Sequence, residues 1–220
     1  MTLTKREEKE LQILKSAEKL FSARGYENTK MDDIAVDISV SKGLVYFYFN
    51  SKENLYMALT YRCMLKMNDL FYSIFYKKQS NSGFESVVEL VEAYVGFLNE
   101  NPFYLELLLN YTRLVRSTSQ QTNQLTETMK TSIYFRKIKD IHNIPITIFQ
   151  EEIIRGQQDG SIKNKNSPSL LYMSMWSLII GFSQLRSAAK LNNRMTMYKL
   201  DLEEWKNYVI HIIKNTFLND

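Results

Sequence analysis

The scarcity of chain-turning residues constrains this sequence more than any other feature. Seven Gly and three Pro serve 220 residues, so tight turns are few and long segments run without a breaker. Within those segments apolar residues return at three- and four-residue steps. Leu11, Leu14, Ala17, Leu20 and Phe21 do so over 5–24, and Leu55, Leu59, Cys63, Met67, Leu70 and Ile74 do so up to Tyr76. That period predicts amphipathic helices. Further helices are predicted over Phe84–Glu100, over Phe103–Arg116, within 125–158 with a break near 142–144 imposed by Pro145, from Ser167-Pro168 to about Leu191, and from Asp201 to Leu218. KKQSNSG (77–83) reads as a linker and RSTSQQTN (116–123) as a polar surface loop or frayed helix. The expectation is an all-α fold of about nine or ten helices, with no strands and no internal repeat. With 45% apolar and 24% charged residues, such a chain can bury a real core.

Several classes fall away early. The charged start, MTLTKREEKELQ, has no apolar run behind it and predicts no signal peptide. The most apolar window, Leu170–Phe182, is interrupted by Ser174 and Ser177 and is shorter than the roughly 20 residues a membrane span needs, so no membrane partner is expected. A lone Cys63 excludes a disulfide framework and fits a reducing cytoplasm, the expected location. His142 and His211 stand far apart, no Cys–His cluster occurs, and no Gly-rich phosphate loop is present. No catalytic residue, metal or cofactor is therefore expected.

The N-terminal fifth has a finer pattern. Gly25 sits where a helix ends, and Thr29 reads as the N-cap of a short helix from Lys30 to about Asp37, with Asp32 completing a capping box. Ser39-Val40-Ser41 forms a tight connection, Ser41 caps a third helix running to about Tyr48, and Asn50 or Ser51 caps the fourth. Two short helices joined by such a turn, behind a longer one, make a helix-turn-helix. Tyr46, Phe47, Tyr48 and Phe49 are consecutive, and four residues cover the whole circumference of a helix. Some of those rings must face something other than the core; Val45 and Phe49, four apart, are the inward pair. From Ile38 to Lys52 there is no acidic residue, while Lys42 and Lys52 are present and the chain carries a net charge of +4. An anion can approach this patch without repulsion.

The run "ILKSAEKLFSARGYENTKMDDIAVDISVSKGLVYFYFNSKENLY" resembles the DNA-binding domain of the tetracycline-repressor (TetR/AcrR) family. It carries in order an Ile-Leu-x-x-Ala-x-x-Leu-Phe helix, a Gly-Tyr turn, a Thr cap, Asp-Ile-Ala, Val-Ser-Lys-Gly, Tyr-x-x-Phe and Ser-Lys-Glu-x-Leu. Two positions depart from the family pattern. Ser39 stands where Gly is usual and is expected to take a type I turn, and Phe47 replaces a commonly polar residue. The resemblance implies a double-stranded DNA operator as partner. Thr29, Lys30, Ser41, Lys42, Gly43, Leu44, Tyr46, Phe47, Tyr48 and Lys52 are the expected DNA-binding residues, with Lys5 and Arg6 as flanking candidates. Tyr46 and Tyr48 would bond phosphate oxygens, Lys42 and Lys52 would add charge-assisted contacts, Gly43 would permit close approach and Leu44 would meet a thymine methyl. The Phe47 ring has two readings, a DNA contact or a cover over the start of the fourth helix. No Arg, Asn or Gln lies in 41–48, so sequence would be read partly through shape.

The resemblance divides the chain into a helix-turn-helix domain, 1–51, and a ligand-binding and dimerisation domain, 52–220. Its default is a homodimeric repressor released by a small-molecule effector. For a largely apolar effector the aromatic and methionine residues Met67, Phe71, Phe75, Phe97, Tyr104, Tyr111, Phe149 and Trp176 are the candidate pocket, with ordinary core packing as the competing reading. Met175, Leu178, Ile179 and Phe182, with Trp205, Tyr208, Val209 and Ile212, are the candidate dimer surface on the last two helices, and Gly181 would allow close approach. The alternative is that these helices close the monomer's own core. At the level of function the alternative is a helical lipid- or partner-binding module whose DNA motif is unused.

Overall fold

The computed structural model describes residues 4–76, 81–116, 124–192 and 200–219. Eleven helices occur among them: α1 (Lys5–Arg24), α2 (Met31–Asp37), α3 (Lys42–Tyr48), α4 (Lys52–Tyr76), α5 (Gly83–Glu100), α6 (Pro102–Arg116), α7 (Gln124–Thr131), α8 (Ile133–Ile141), α9 (Ile144–Asp159), α10 (Pro168–Asn192) and α11 (Leu202–Leu218). The described residues contain no strand. The helix expected across 125–158 is broken twice rather than once. Near 142–143 the break is the anticipated one, with Pro145 in the first turn of α9, where its missing N–H has no partner to lose. The other falls at Ser132. Its Oγ donates to Asn54 Oδ1 at 2.7 Å and accepts from the Tyr134 N–H at 3.1 Å, so a tertiary bond and a local cap compete with helix continuation. Taking α7 and α8 as one interrupted helix gives the expected ten. Residues 77–80 of the expected linker and 117–123 of the expected loop lie outside the described residues.

Packing divides the chain into two compact units, Met1–Met64 with Glu106–Ile141, and Leu65–Leu105 with His142–Asp220. This differs from a cut at residue 51. The first turns of α4 bury Leu55, Tyr56 and Leu59 and belong to the same core as α1–α3.

In the first unit, α1 opens on a capping box: Glu7 N–H donates to Thr4 Oγ1 at 3.2 Å and Thr4 N–H to the Glu7 carboxylate at 2.8 Å. It ends at Gly25, whose φ of 81° and ψ of 159° are open only to glycine. Ile13, Ala17, Phe21, Ile34, Val45 and Phe49 form the core of the three-helix portion. Asp37 ties α2 to α1 by accepting from Ser16 Oγ at 2.8 Å and Lys19 Nζ at 2.5 Å. The later helices add Asn110, which donates to Tyr56 OH at 2.6 Å, and Tyr134, whose OH donates to Glu10 at 3.2 Å.

In the second unit α5 lies against α9 and α10 is packed on α5, α9 and α11. Backbone contact sets the first of these pairings. A Cβ at Gly83 would stand 2.1 Å from the Gly156 nitrogen, so only glycines allow the helices to come so close. Arg155 bridges the buried Glu152 carboxylate at 2.6 Å and donates to the carbonyls of Asn81 and Ser82, while Asp159 accepts from Gly83 N–H at 2.8 Å. The buried carboxylate is thus paired, and its half-buried partner Arg155 is further satisfied by the two carbonyls, as burial demands.

Candidate nucleic-acid interface

The turn between α2 and α3 aims the interface. Val40 N–H donates to Ala35 O at 2.9 Å and Ser39 N–H to Val36 O at 3.1 Å, the paired bonds of a Schellman ending. Ser39 occupies its left-handed position with φ 53°, which corrects the expected type I turn. Serine here takes the conformation that glycine adopts cheaply. Ser41 then caps α3 by accepting from Leu44 N–H at 3.2 Å, and Ser51 rather than Asn50 caps α4 by accepting from Asn54 N–H at 3.1 Å.

Thr29 requires a correction. It is fully buried, and its hydroxyl donates to Gly25 O at 2.9 Å and toward Leu20 O at 3.3 Å. It locks the α1–α2 connection instead of capping α2, and its hydroxyl does not face solvent. The N-cap is Lys30, whose N–H donates to the Asp33 carboxylate at 2.8 Å. The capping carboxylate is therefore one residue later than expected.

On α3, Val45 and Phe49 face inward as expected and are fully buried. Tyr46 is 40% exposed and Phe47 73% exposed, while Tyr48 is half-buried with its ring edge-on to Phe47 at 5.4 Å. Exposure of the Phe47 ring rules out its reading as a cover over the start of α4. Leu44 is half-buried, and Ser41, Lys42, Gly43 and Lys30 are exposed. A Cβ at Gly43 would meet nothing within 4 Å, so nothing inside the chain requires glycine there.

The two lysines are held by the protein itself. Lys42 Nζ lies 2.9 and 3.0 Å from the two Asp32 carboxylate oxygens and 5.7 Å from the Tyr46 ring centroid. Its pKa is raised, chiefly by the hydrogen bond to Asp32 and then by that carboxylate's charge. The acid-free window over 38–52 is real in the sequence, but folding brings Asp32 of α2 into it. Lys52 Nζ sits 4.1 Å from the Tyr26 ring centroid, and Tyr26 OH donates to Glu53 at 3.2 Å. Lys52 is thereby aligned by an aromatic platform. Sequence reasoning missed these roles of Asp32 and Tyr26 because both approach from outside the 38–52 window. It also passed over Val36, 78% exposed on α2, although the spacing from Met31, Ile34 and Ala35 already puts it off their buried stripe.

Of the pocket candidates, Met67, Phe71, Tyr104, Tyr111 and Phe149 are buried, and Phe75, Phe97 and Trp176 are half-buried. Phe71 and Phe149 are fully buried and edge-on at 5.6 Å, and Phe71 meets Tyr94 at 5.4 Å. Trp176 donates to Tyr94 OH at 3.2 Å, and Phe97 leans on Tyr104 at 5.5 Å. Met67 is buried and Phe75 half-buried in the same unit, whereas Tyr111 belongs to the first unit, against Phe135 at 5.8 Å. Clefts of about 500 and 550 Å³ are lined by other side chains. The dimer candidates divide likewise. Met175, Ile179 and Phe182 are buried in the second unit, because α10 turns that stripe onto its neighbours; Val209 of α11 is buried too, and Trp205 is edge-on to Phe182 at 4.9 Å. Leu178, Tyr208 and Ile212 remain exposed, and so do Met173 and Leu185, which sequence reasoning passed over.

A short helix with a solvent-facing aromatic and basic surface, carried behind a tight turn on a packed helix, defines a helix-turn-helix DNA-binding regulator. Residues 13–59 match the model for bacterial regulatory proteins of the tetR family. Those residues are thus a DNA-binding domain of the TetR family of transcriptional regulators. It is similar to the biofilm operon icaADBC HTH-type negative transcriptional regulator IcaR of Staphylococcus aureus, 28% identical over 176 residues that cover 78% of this chain and 84% of that protein. Among solved structures, a Saccharomonospora viridis protein in complex with choline has a TM-score of 0.73 at 18% identity, covering 97% of this chain and all of that one. The transcriptional regulator FadR from Bacillus subtilis, in complex with stearoyl-CoA, has a TM-score of 0.66 at 18% identity, covering 94% and 98%. No described helix is long and apolar enough to cross a membrane.

Proposed function

We propose that this regulator is a cytoplasmic homodimer that represses transcription by binding an inverted-repeat operator, and that a small molecule releases it. The observation that carries this reading is the outward surface of α3. It spends Tyr46, Phe47 and an unneeded Gly43 on solvent, a poor use of helix surface unless a partner covers it. In this reading Tyr46 and Tyr48 bond phosphates, Lys42 exchanges Asp32 for phosphate, Lys30 and Lys52 add charge, and Leu44 and Phe47 press on base edges and sugars. Residues 1–51 serve as the DNA-binding domain, with the first turns of α4 completing its core, and the rest of 52–220 binds effector and partner chain. Similarity to IcaR, a negative regulator by name, supports repression, and the bound stearoyl-CoA and choline of the structural neighbours support a ligand-responsive design.

The exposed stripe on α10 and α11 supports a dimer. Met173, Leu178, Leu185, Tyr208 and Ile212 are apolar, and Ser174, Ser177 and Gly181 between them would let a second α10 approach closely. Two recognition helices must then match half-sites about 34–36 Å apart. An effector that favours a different separation lowers affinity about 5–150-fold for a coupling of 1–3 kcal/mol.

Selection of the purified protein on random duplex DNA at near-physiological salt tests the reading. Enrichment of an inverted repeat, lost in the Lys42→Ala/Tyr46→Ala double variant, is the expected result. An enriched sequence that the double variant binds unchanged would refute the interface.

A further inference from the structure

The first unit holds a cleft of about 500 Å³ between the α1–α2 connection, the start of α4, and α6 and α7. Its walls are aromatic and apolar: Tyr26 and Tyr56, edge-to-face at 4.9 Å, with Leu114 and Met129. Its charged groups are Glu27, Glu106 and Arg113, two acids against one base. Asn110 is committed to Tyr56 OH at 2.6 Å. Glu106 makes no hydrogen bond or ion pair with any described residue, and Glu27 uses only its backbone carbonyl, toward Lys52. Solvent reaches Glu106, yet the surrounding protein desolvates its carboxyl enough to raise its pKa. A carboxylate that no described residue compensates, beside aromatic walls, is a poor arrangement for a protein surface and a good one for a bound cation.

We infer that this cleft binds an organic cation with an aromatic or aliphatic body, its charge opposite Glu106 and its body against Tyr26, Tyr56 and Met129. Arg113 at the rim disfavours the same cation and sets an upper limit on its charge. The size of the cleft suits a drug-sized molecule rather than a metal ion or an ammonium alone. The cleft also touches the DNA machinery within one unit. Tyr26 lines it, carries Lys52 on its ring and bonds Glu53, and both of those residues stand in the first turn of α4, directly after the α3 connection. A cation that takes over the Tyr26 ring displaces Lys52 from its platform. The effector role therefore rests on the proposed regulator function, whereas binding itself does not.

Calorimetric titration of the full, DNA-free chain with tetraphenylphosphonium and with its near-isosteric anion tetraphenylborate, in sodium buffer, separates charge from shape. The phosphonium is expected to bind once per chain and at least about tenfold tighter than the borate. Glu106→Gln should weaken the phosphonium at least about fivefold, and Arg113→Gln should tighten it. Both positions are exposed, and circular dichroism melts of the two variants check that folding is intact. Equal or tighter borate binding, or an unchanged phosphonium affinity in Glu106→Gln, overturns the site. A second titration, on the DNA selected above, addresses the role. Phosphonium that weakens DNA binding by wild type but not by Glu106→Gln supports an effector site. Glu106-dependent binding with no effect on DNA keeps the cation site and overturns its effector role. Failure to select any DNA overturns the operator reading, while the calorimetry still decides the cation site on its own.

Discussion

Substituting Gly43 by alanine separates what α3 does for the fold from what it does for a partner. In the free chain the new methyl has open space, with no atom within 4 Å, and the backbone there is right-handed helix. Gly→Ala at an unstrained site stabilises by about 0.4–1 kcal/mol through the unfolded state. Gly43 lies in the first turn of a seven-residue helix, so the lower end applies, about 0.5 kcal/mol, and a chain of this size should melt about 1–2 °C higher. On DNA the sign reverses. A methyl forced into a close contact costs about 1–3 kcal/mol; at about 1 kcal/mol in each of two half-sites the loss is about 2 kcal/mol, near 30-fold in affinity. Thermal denaturation and fluorescence anisotropy on the selected operator read the two effects. A stabilised variant that binds DNA like wild type would show that the first turn of α3 never meets the duplex closely. A destabilised variant would show that the open space beside Gly43 is wrong.

Four further outcomes follow from the same geometry. Ser39→Gly removes a left-handed serine that costs roughly 1–2 kcal/mol; after the greater chain entropy of glycine, chemical denaturation should show a net gain of about 0.5 kcal/mol, and a loss would mean that the serine side chain matters more than its backbone. Asp32→Asn frees Lys42 and removes a negative charge beside the operator, so anisotropy at low salt should give about three- to tenfold tighter binding that fades as salt rises. Asp37, held below the ordinary carboxylate range first by its bond from Lys19 and then by Ser16, contributes stability that is present above about pH 4 and lost as the pH falls through its lowered value; melts across that range should show a shallower acid limb in Asp37→Asn than in wild type. Leu178→Glu places a charge in the exposed α10 stripe, and sedimentation should find monomer where wild type is dimer, with operator affinity falling together with assembly.

Local rules made most of the helical fold legible. Helix ends such as Gly25, Ser41, Ser51 and Asp201 are set by bonds within a few residues, and period alone separated Val45 and Phe49 from the outward rings. What failed depended on residues distant in sequence. Ser132 breaks a helix because it bonds Asn54. Thr29 looked like a cap, but the carbonyls of Leu20 and Gly25 claim its hydroxyl. Lys42 looked free until Asp32 arrived from α2. The pocket and dimer candidates illustrate a related limit of local rules. Composition identifies large apolar residues without saying which of them the chain itself will cover; Phe71, Phe149, Met175 and Ile179 are covered, whereas Leu178, Tyr208 and Ile212 are not.

What the chain does not cover is therefore more informative than what it does. Gly83 and Gly156 are explained internally, since any side chain at either would collide with backbone or with Ile162. Gly43 and Gly181 are not, for a Cβ at either would touch nothing, and glycine in a helix costs about 1 kcal/mol relative to alanine. Gly96 shares those open surroundings, and no described residue explains it. Gly43 lies beside Tyr46 and Phe47, and Gly181 lies between Leu178 and Leu185, so each accompanies exposed apolar side chains on one helix. A lone chain is worse off for both features at both places. A duplex against α3 and a second copy against α10 would compensate each of them, and the two contacts are linked, because an inverted repeat is recognised only by recognition helices that a dimer holds at fixed separation. Operator affinity and dimerisation should consequently fail together in variants of the α10 stripe, while variants of α3 lose DNA and keep the dimer.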